Sequence, residues 1–169
     1  MLNSHRTFCL GEASVARLAS DLDRRQAALN RFGANGIGRY QGREIEKSIR
    51  EMLKSVSVKV PFRTGSHALE SHLKQELVKL ADALRCIPAV SIDIEAHTDV
   101  RGSRRFNRKL AFERARAVRQ VFLMRGVPLG RITTRALGVE AAVYRKGDRG
   151  GYAFDRQAIV RLEVEEIEK

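Results

Sequence analysis

Asp99 and Arg114 are the two side chains of this sequence best placed to act on a small ligand. Asp99 closes the run Ala96-His97-Thr98-Asp99, which follows an alternating apolar segment. Arg114 comes fifteen residues later, about two turns into a helical stripe, after Gly102, Asn107 and Leu110. A carboxylate takes a ligand's ammonium, and a guanidinium takes its carboxylate through two parallel hydrogen bonds. The pair therefore suits a zwitterion held at both ends. The alternative use of the same residues is a salt bridge tying the loop to the helix.

Other chemistries lack their residue patterns. Cys9 and Cys86 form neither a CxxC pair nor a metal spacing. Cys86 falls in an apolar register and reads as a buried thiol, with a Cys9–Cys86 disulfide as the alternative in an oxidising compartment. His97 has no second ligand at metal spacing, and His5, His67 and His72 do not supply one. It reads as a residue that orders its loop. No serine or cysteine stands in a nucleophile motif, and the glycine-rich stretches at 33–42 and 147–151 lack phosphate-loop or dinucleotide patterns. No catalytic residue, metal or cofactor is expected; the chain reads as a binding module rather than an enzyme.

The elements that must position Asp99 and Arg114 can be read from hydrophobic periodicity. Val56, Val58, Val60 and Phe62 alternate with polar residues and predict a strand, with Pro61 at an edge or a strand end. Leu69, Leu73, Leu77, Leu80 and Leu84 form a helical stripe, with Ser66 as its expected cap. Val90, Ile92 and Ile94 predict a second strand, with Ser91, Asp93 and Glu95 on its other face. A long helix is expected over about 107–125, ended by Gly126. A third strand is expected over 131–138, an irregular segment over 140–154, and a last strand through Ala158, Val160, Leu162 and Val164. The expected fold class is α+β: a two-layer β-α-β-α-β-β core with both helices on one face of a mixed sheet.

Residues 1–55 read differently, as a helical arm or linker, leaving 56–169 as the main domain. Val15, Leu18, Leu22 and Leu29 are at helical spacing, four glycines interrupt, and Ile45, Ile49, Met52 and Leu53 resume the pattern. Such an arm could link the domain to another part, cap it, or join two copies as a homodimer. No apolar run approaches the ~20 residues of a membrane helix, and residues 1–9 lack the apolar segment of a secretory signal.

Formal net charge is +12 over 169 residues, so a polyanionic partner has to be weighed. The excess is local: residues 101–119 hold eight Lys/Arg against the single acid Glu113. Nucleic-acid binding through this cluster is the rival function, but the aromatic positions of single-strand binders and recognised nucleic-acid motifs are missing. A third reading is an assembly module with a vestigial pocket.

Four blocks, in order, resemble the OmpA-like peptidoglycan-binding domain. They are Val60-Pro61-Phe62 with Ser66 and Leu69; Ile92 through Asp99; Gly102, Asn107, Leu110, Arg114, Ala115 and Val118; and Gly126-Val127, Arg131-Ile132 and Gly138. The resemblance implies a non-enzymatic domain of the periplasm or cell envelope that holds the diaminopimelate side chain of the peptidoglycan stem peptide. It assigns the ligand ammonium to Asp99 and the ligand carboxylate to Arg114. It places Thr98 and Asn107 at the pocket, Thr64 and Gly65 on the neighbouring loop, and Arg156 in the closing segment. This sequence departs from the family pattern at Ala96, where a glycine is usual, and at Ala111, where a serine is common. It has one arginine, Arg156, where two are usual, and extra cations at Arg101, Arg104, Arg105, Arg108 and Lys109.

Overall fold

Two amphipathic helices cover the apolar face of the sheet. The computed structural model describes residues 56–164 other than 86, 88, 89, 145, 146 and 149, together with Arg24, Lys47, Glu51 and Leu53. The cysteines and most of the expected arm lie outside the described residues. The elements run β1 (Ser57–Pro61), α1 (Ser71–Arg85), β2 (Val90–His97), α2 (Arg104–Met124), a 3-10 turn (Leu129–Arg131), β3 (Ile132–Gly138), α3 (Tyr152–Asp155) and β4 (Gln157–Val164).

The sheet order is β1-β4-β2-β3. β4 pairs antiparallel with β1 and β2, whereas β2 and β3 are parallel and joined by α2. The sheet is mixed, as expected. Pro61 is the last residue of the edge strand β1, where its missing N–H costs no ladder bond.

Val58, Val60, Val90, Ile92, Ile94, Ala158, Val160 and Leu162 form the buried face. Leu77, Leu80 and Leu84 of α1 and Ala111, Ala115, Val118 and Phe122 of α2 close over it. Leu53, from the segment read as an arm, is fully buried in the same core.

Three local expectations need correction. Ser66 does not cap α1: its Oγ accepts from the Ala68 N–H in a local turn, and the helix begins five residues later at Ser71. α2 starts at Arg104 rather than near Asn107, because the Ser103 hydroxyl accepts from the Phe106 N–H. The segment 140–154 is not wholly irregular, since Tyr152 opens the short helix α3. Asp155 ties that segment together by accepting from the Val143 and Tyr144 N–H groups.

Candidate functional site

β2 ends at His97, so Thr98 and Asp99 emerge at the carboxyl end of a central strand. The Thr98 N–H donates to the Gly138 carbonyl (2.9 Å), holding the loop against the end of β3. Gly102 then turns with φ +88°, a region that other residues rarely adopt. The Asn107 Nδ2 donates to the Arg101 carbonyl (2.7 Å), fixing the loop to the first turn of α2.

A cleft of about 310 Å³ opens there. It is lined by all seven residues expected at a ligand site: Thr64, Gly65, Thr98, Asp99, Asn107, Arg114 and Arg156. Arg101, Gly102, Phe106 and Leu110 complete the wall. Four separate chain segments thus converge on one concavity.

Arg114 is fully buried at the base of this cleft. Its Nε donates to the Ser66 carbonyl (2.9 Å), Nη1 to the His97 carbonyl (2.7 Å) and Nη2 to the Arg63 carbonyl (3.2 Å). Its guanidinium also stacks 5.1 Å from the Phe62 ring centroid. Arg114 therefore pins the loop after β1 to the end of β2. A guanidinium has five N–H groups, so two remain uncommitted. Burial pushes its pKa down to about 10; the charge of Asp99 opposes this shift and that of Arg156 adds to it. It stays cationic at neutral pH.

Asp99 is also buried, yet no direct ion pair joins it to Arg114 among the described residues. Its partners are Arg101 and Arg156. Oδ1 accepts from the Arg101 backbone N–H (3.1 Å) and Nε (3.0 Å). Oδ2 accepts from Arg101 Nη2 (2.7 Å) and Arg156 Nη1 (3.4 Å). Burial raises the Asp99 carboxyl pKa, but the Arg101 hydrogen bonds and charge and the Arg156 hydrogen bond outweigh it. The net result lies below the ordinary value of 3.8, and the group is a carboxylate.

Arg101 is the site residue that the sequence pattern did not single out. It reads only as excess charge, because its contacts beyond Asp99 come from two distant segments. Besides clamping Asp99, its Nη2 donates to Thr64 Oγ1 (3.3 Å), and its guanidinium lies 4.7 Å from the centroid of the Tyr152 ring. The Tyr152 hydroxyl in turn accepts from the Gly147 N–H (2.6 Å).

His97 is buried, and its ring Nε2 has no hydrogen-bond partner among the described residues. Burial lowers its pKa; Glu95 and Asp155 oppose the shift and Arg161 adds to it. It is neutral at pH 7, and its backbone carbonyl serves Arg114. Thr98 Oγ1 is likewise buried without a partner, on the wall of the cleft. Among the described residues no group of three His, Cys, Asp or Glu could hold a metal ion, and no helix is long and apolar enough to cross a membrane.

A two-layer α/β module with a charged cleft at the carboxyl end of its central strand is the class that fold and site define. The OmpA family model matches residues 61–155, more than half of the chain. The peptidoglycan-associated lipoprotein of Rhizobium meliloti is 31% identical over 129 residues, covering 76% of this chain and 73% of that protein. The outer-membrane lipoprotein YfiB of Pseudomonas aeruginosa is 31% identical over 110 residues, covering 65% and 66%. The crystal structure of the peptidoglycan-associated lipoprotein from Burkholderia pseudomallei superposes with a TM-score of 0.59 at 28% identity, over 62% of this chain and 89% of that one. A putative MotB-like protein of Desulfovibrio vulgaris shares the fold with a TM-score of 0.54 at 18% identity, over 89% of this chain and 99% of that one.

The chain belongs to the OmpA family. Its domain is a non-enzymatic module.

Proposed function

We propose that this domain binds peptidoglycan non-covalently and anchors its parent protein to the cell wall from the envelope or periplasmic side. The ligand group is the diaminopimelate side chain of the stem peptide, a zwitterion carrying an ammonium and a carboxylate. The observation that carries the reading is the convergence of Asp99 and Arg114 on one cleft, with no direct pairing between them. The names of the relatives, peptidoglycan-associated lipoproteins among them, support the same reading.

The ligand's ammonium goes to Asp99. That carboxylate already accepts four hydrogen bonds, so an incoming donor must displace one. The Arg101 side chain is 44% exposed against 17% for Arg156, so Arg101 is the partner that gives way. The ligand's carboxylate meets the two uncommitted N–H groups of Arg114, with Arg156 alongside. Hydrogen bonds to charged groups contribute about 1.5–3 kcal/mol each. Displacing Arg101 offsets part of that gain, which suits a reversible contact strengthened by many copies.

Sedimentation with purified sacculi tests the reading. Asp99→Ala should leave the protein in the supernatant under conditions where wild type pellets. Pelleting of that variant at the wild-type level would refute the site.

A further inference from the structure

A second concavity lies around α2 from the cleft, between the first turns of α2 and the end of β3. Its volume is about 730 Å³, more than twice that of the cleft. One wall carries Arg104, Arg105, Arg108 and Lys109; the other is the chain from 136 to 140. The floor is apolar, with Phe112 half exposed.

Four cations face a single carboxylate here. Glu140 pairs with Arg108 at 2.7 Å, which shows the geometry a carboxylate takes against this wall. Arg104, Arg105 and Lys109 have no acidic partner among the described residues. Several other arginines are paired: Arg135 and Arg161 neutralise Asp93 and Glu95, and Arg125 pairs with Asp82 at 2.7 Å. Arg104, Arg105 and Lys109 thus place three uncompensated charges on one wall of this groove.

The opposite wall has a second property. Among the described strands, β3 lies at the sheet edge and pairs only with β2. Half of the backbone N–H and C=O groups along such an edge point away from the sheet, ready to pair with another extended chain. Proteins often blunt such edges with charge; β3 carries one cation, Arg135, which is drawn back to Asp93 of β2, and the other cations stand on the helix above.

We infer that this groove docks an extended acidic segment of a partner protein, which pairs with β3 and directs its carboxylates at Arg104, Arg105 and Lys109. Apolar side chains of the same segment rest on Phe112. A nucleic acid or an anionic lipid would satisfy the cations but make no use of the strand edge, so a peptide is favoured. The site is distinct from the cleft, and its failure would leave the peptidoglycan reading untouched.

A fluorescein-labelled peptide of alternating Glu and Val tests it by anisotropy at about 0.15 M ionic strength. The controls are the same peptide with alternate backbone amides N-methylated, oligothymidylate, and phosphatidylglycerol vesicles. Saturable binding of the parent peptide is expected. N-methylation and the double variant Arg105→Glu/Lys109→Glu should each weaken it about tenfold or more. Both substitutions are on exposed positions, and a thermal melt checks that the variant is folded. Equal binding of the N-methylated peptide would overturn the inference. So would tighter binding of oligothymidylate or vesicles that the double variant abolishes, which would assign the groove to another partner class. A dimer in sedimentation that the double variant disrupts would assign it to a second copy of this chain, and would equally overturn it.

Discussion

Arg114 has a structural task and a proposed binding task, and a mutation there removes both. Its side chain anchors three backbone carbonyls from two segments and keeps two N–H groups uncommitted. Arg114→Ala should therefore abolish sacculus binding and also destabilise the fold, by about 3 kcal/mol, because buried carbonyls lose their donor. Urea denaturation measures the second effect, and an unchanged midpoint would contradict the anchoring role. Arg101 should behave differently. Arg101→Ala is expected to bind a diaminopimelate peptide at least as tightly as wild type, since the ligand no longer competes for Asp99. A tenfold loss in calorimetry would show instead that Arg101 holds the ligand. In the same variant the Asp99 carboxyl should titrate upward, because Arg101 supplies the largest effects holding it down. The candidate pair was legible in the sequence, since Asp99 and Arg114 sit in a spaced pattern. The clamp on Asp99 was not, because it is assembled from Thr64, Arg101, Tyr152 and Arg156, which no local period connects.

At the scale of elements, the cleft depends on how α2 meets the sheet. Gly138 ends β3 with φ +59°, and a Cβ there would lie 3.4 Å from Arg108 N and Asn107 C of α2. Gly138→Ala should cost about 1–2 kcal/mol from the left-handed backbone, while its methyl fits in ordinary contact against the first turn of α2. Urea denaturation would report that cost, and a midpoint equal to wild type would contradict it. The strands and helix stripes were readable because each buries one face, which imposes a period of two or 3.6 on the sequence. Helix starts were harder. Ser66 and Ser103 are the same residue type, but only Ser103 caps a helix. Which one does so depends on where the sheet lets the chain turn. The burial of Asp93 and Glu95 was equally hidden. It requires Arg135 from β3 and Arg161 from β4, a consequence of sheet order rather than of local sequence.

For the whole molecule, the net charge of +12 divides into two populations. Some arginines are internal fasteners: Arg131 donates to the Leu84, Ile87 and Val90 carbonyls much as Arg114 does at the other end of β2. The cations on the outer face of α2 shape the surrounding field. Charge reversal at Arg104 and Arg105 should weaken sacculus binding only in part, and the loss should shrink as salt rises. A loss that is independent of ionic strength would contradict this. Asp99 and Glu95 both have carboxyl pKa values below their ordinary ones. Burial pushes Glu95 up, but its Arg161 hydrogen bond, with the charges of Arg161, Arg135 and His97, outweighs that effect. A depressed carboxyl pKa contributes stability that is complete above the unfolded value and is lost as pH falls through the folded one. Stability from these two groups should thus hold down to about pH 4.5 and decline below it, with Asp99→Asn/Glu95→Gln flattening the decline in urea midpoints. The proposed peptidoglycan site is best probed by titrating the protein with a diaminopimelate-containing tripeptide and following backbone amide shifts. Saturable shifts confined to Gly65, Thr98, Asp99, Gly102 and Asn107 are expected, with little response to a lysine-containing tripeptide that lacks the side-chain carboxylate. Equal shifts with the lysine peptide, or shifts that leave the cleft unmoved, would contradict it.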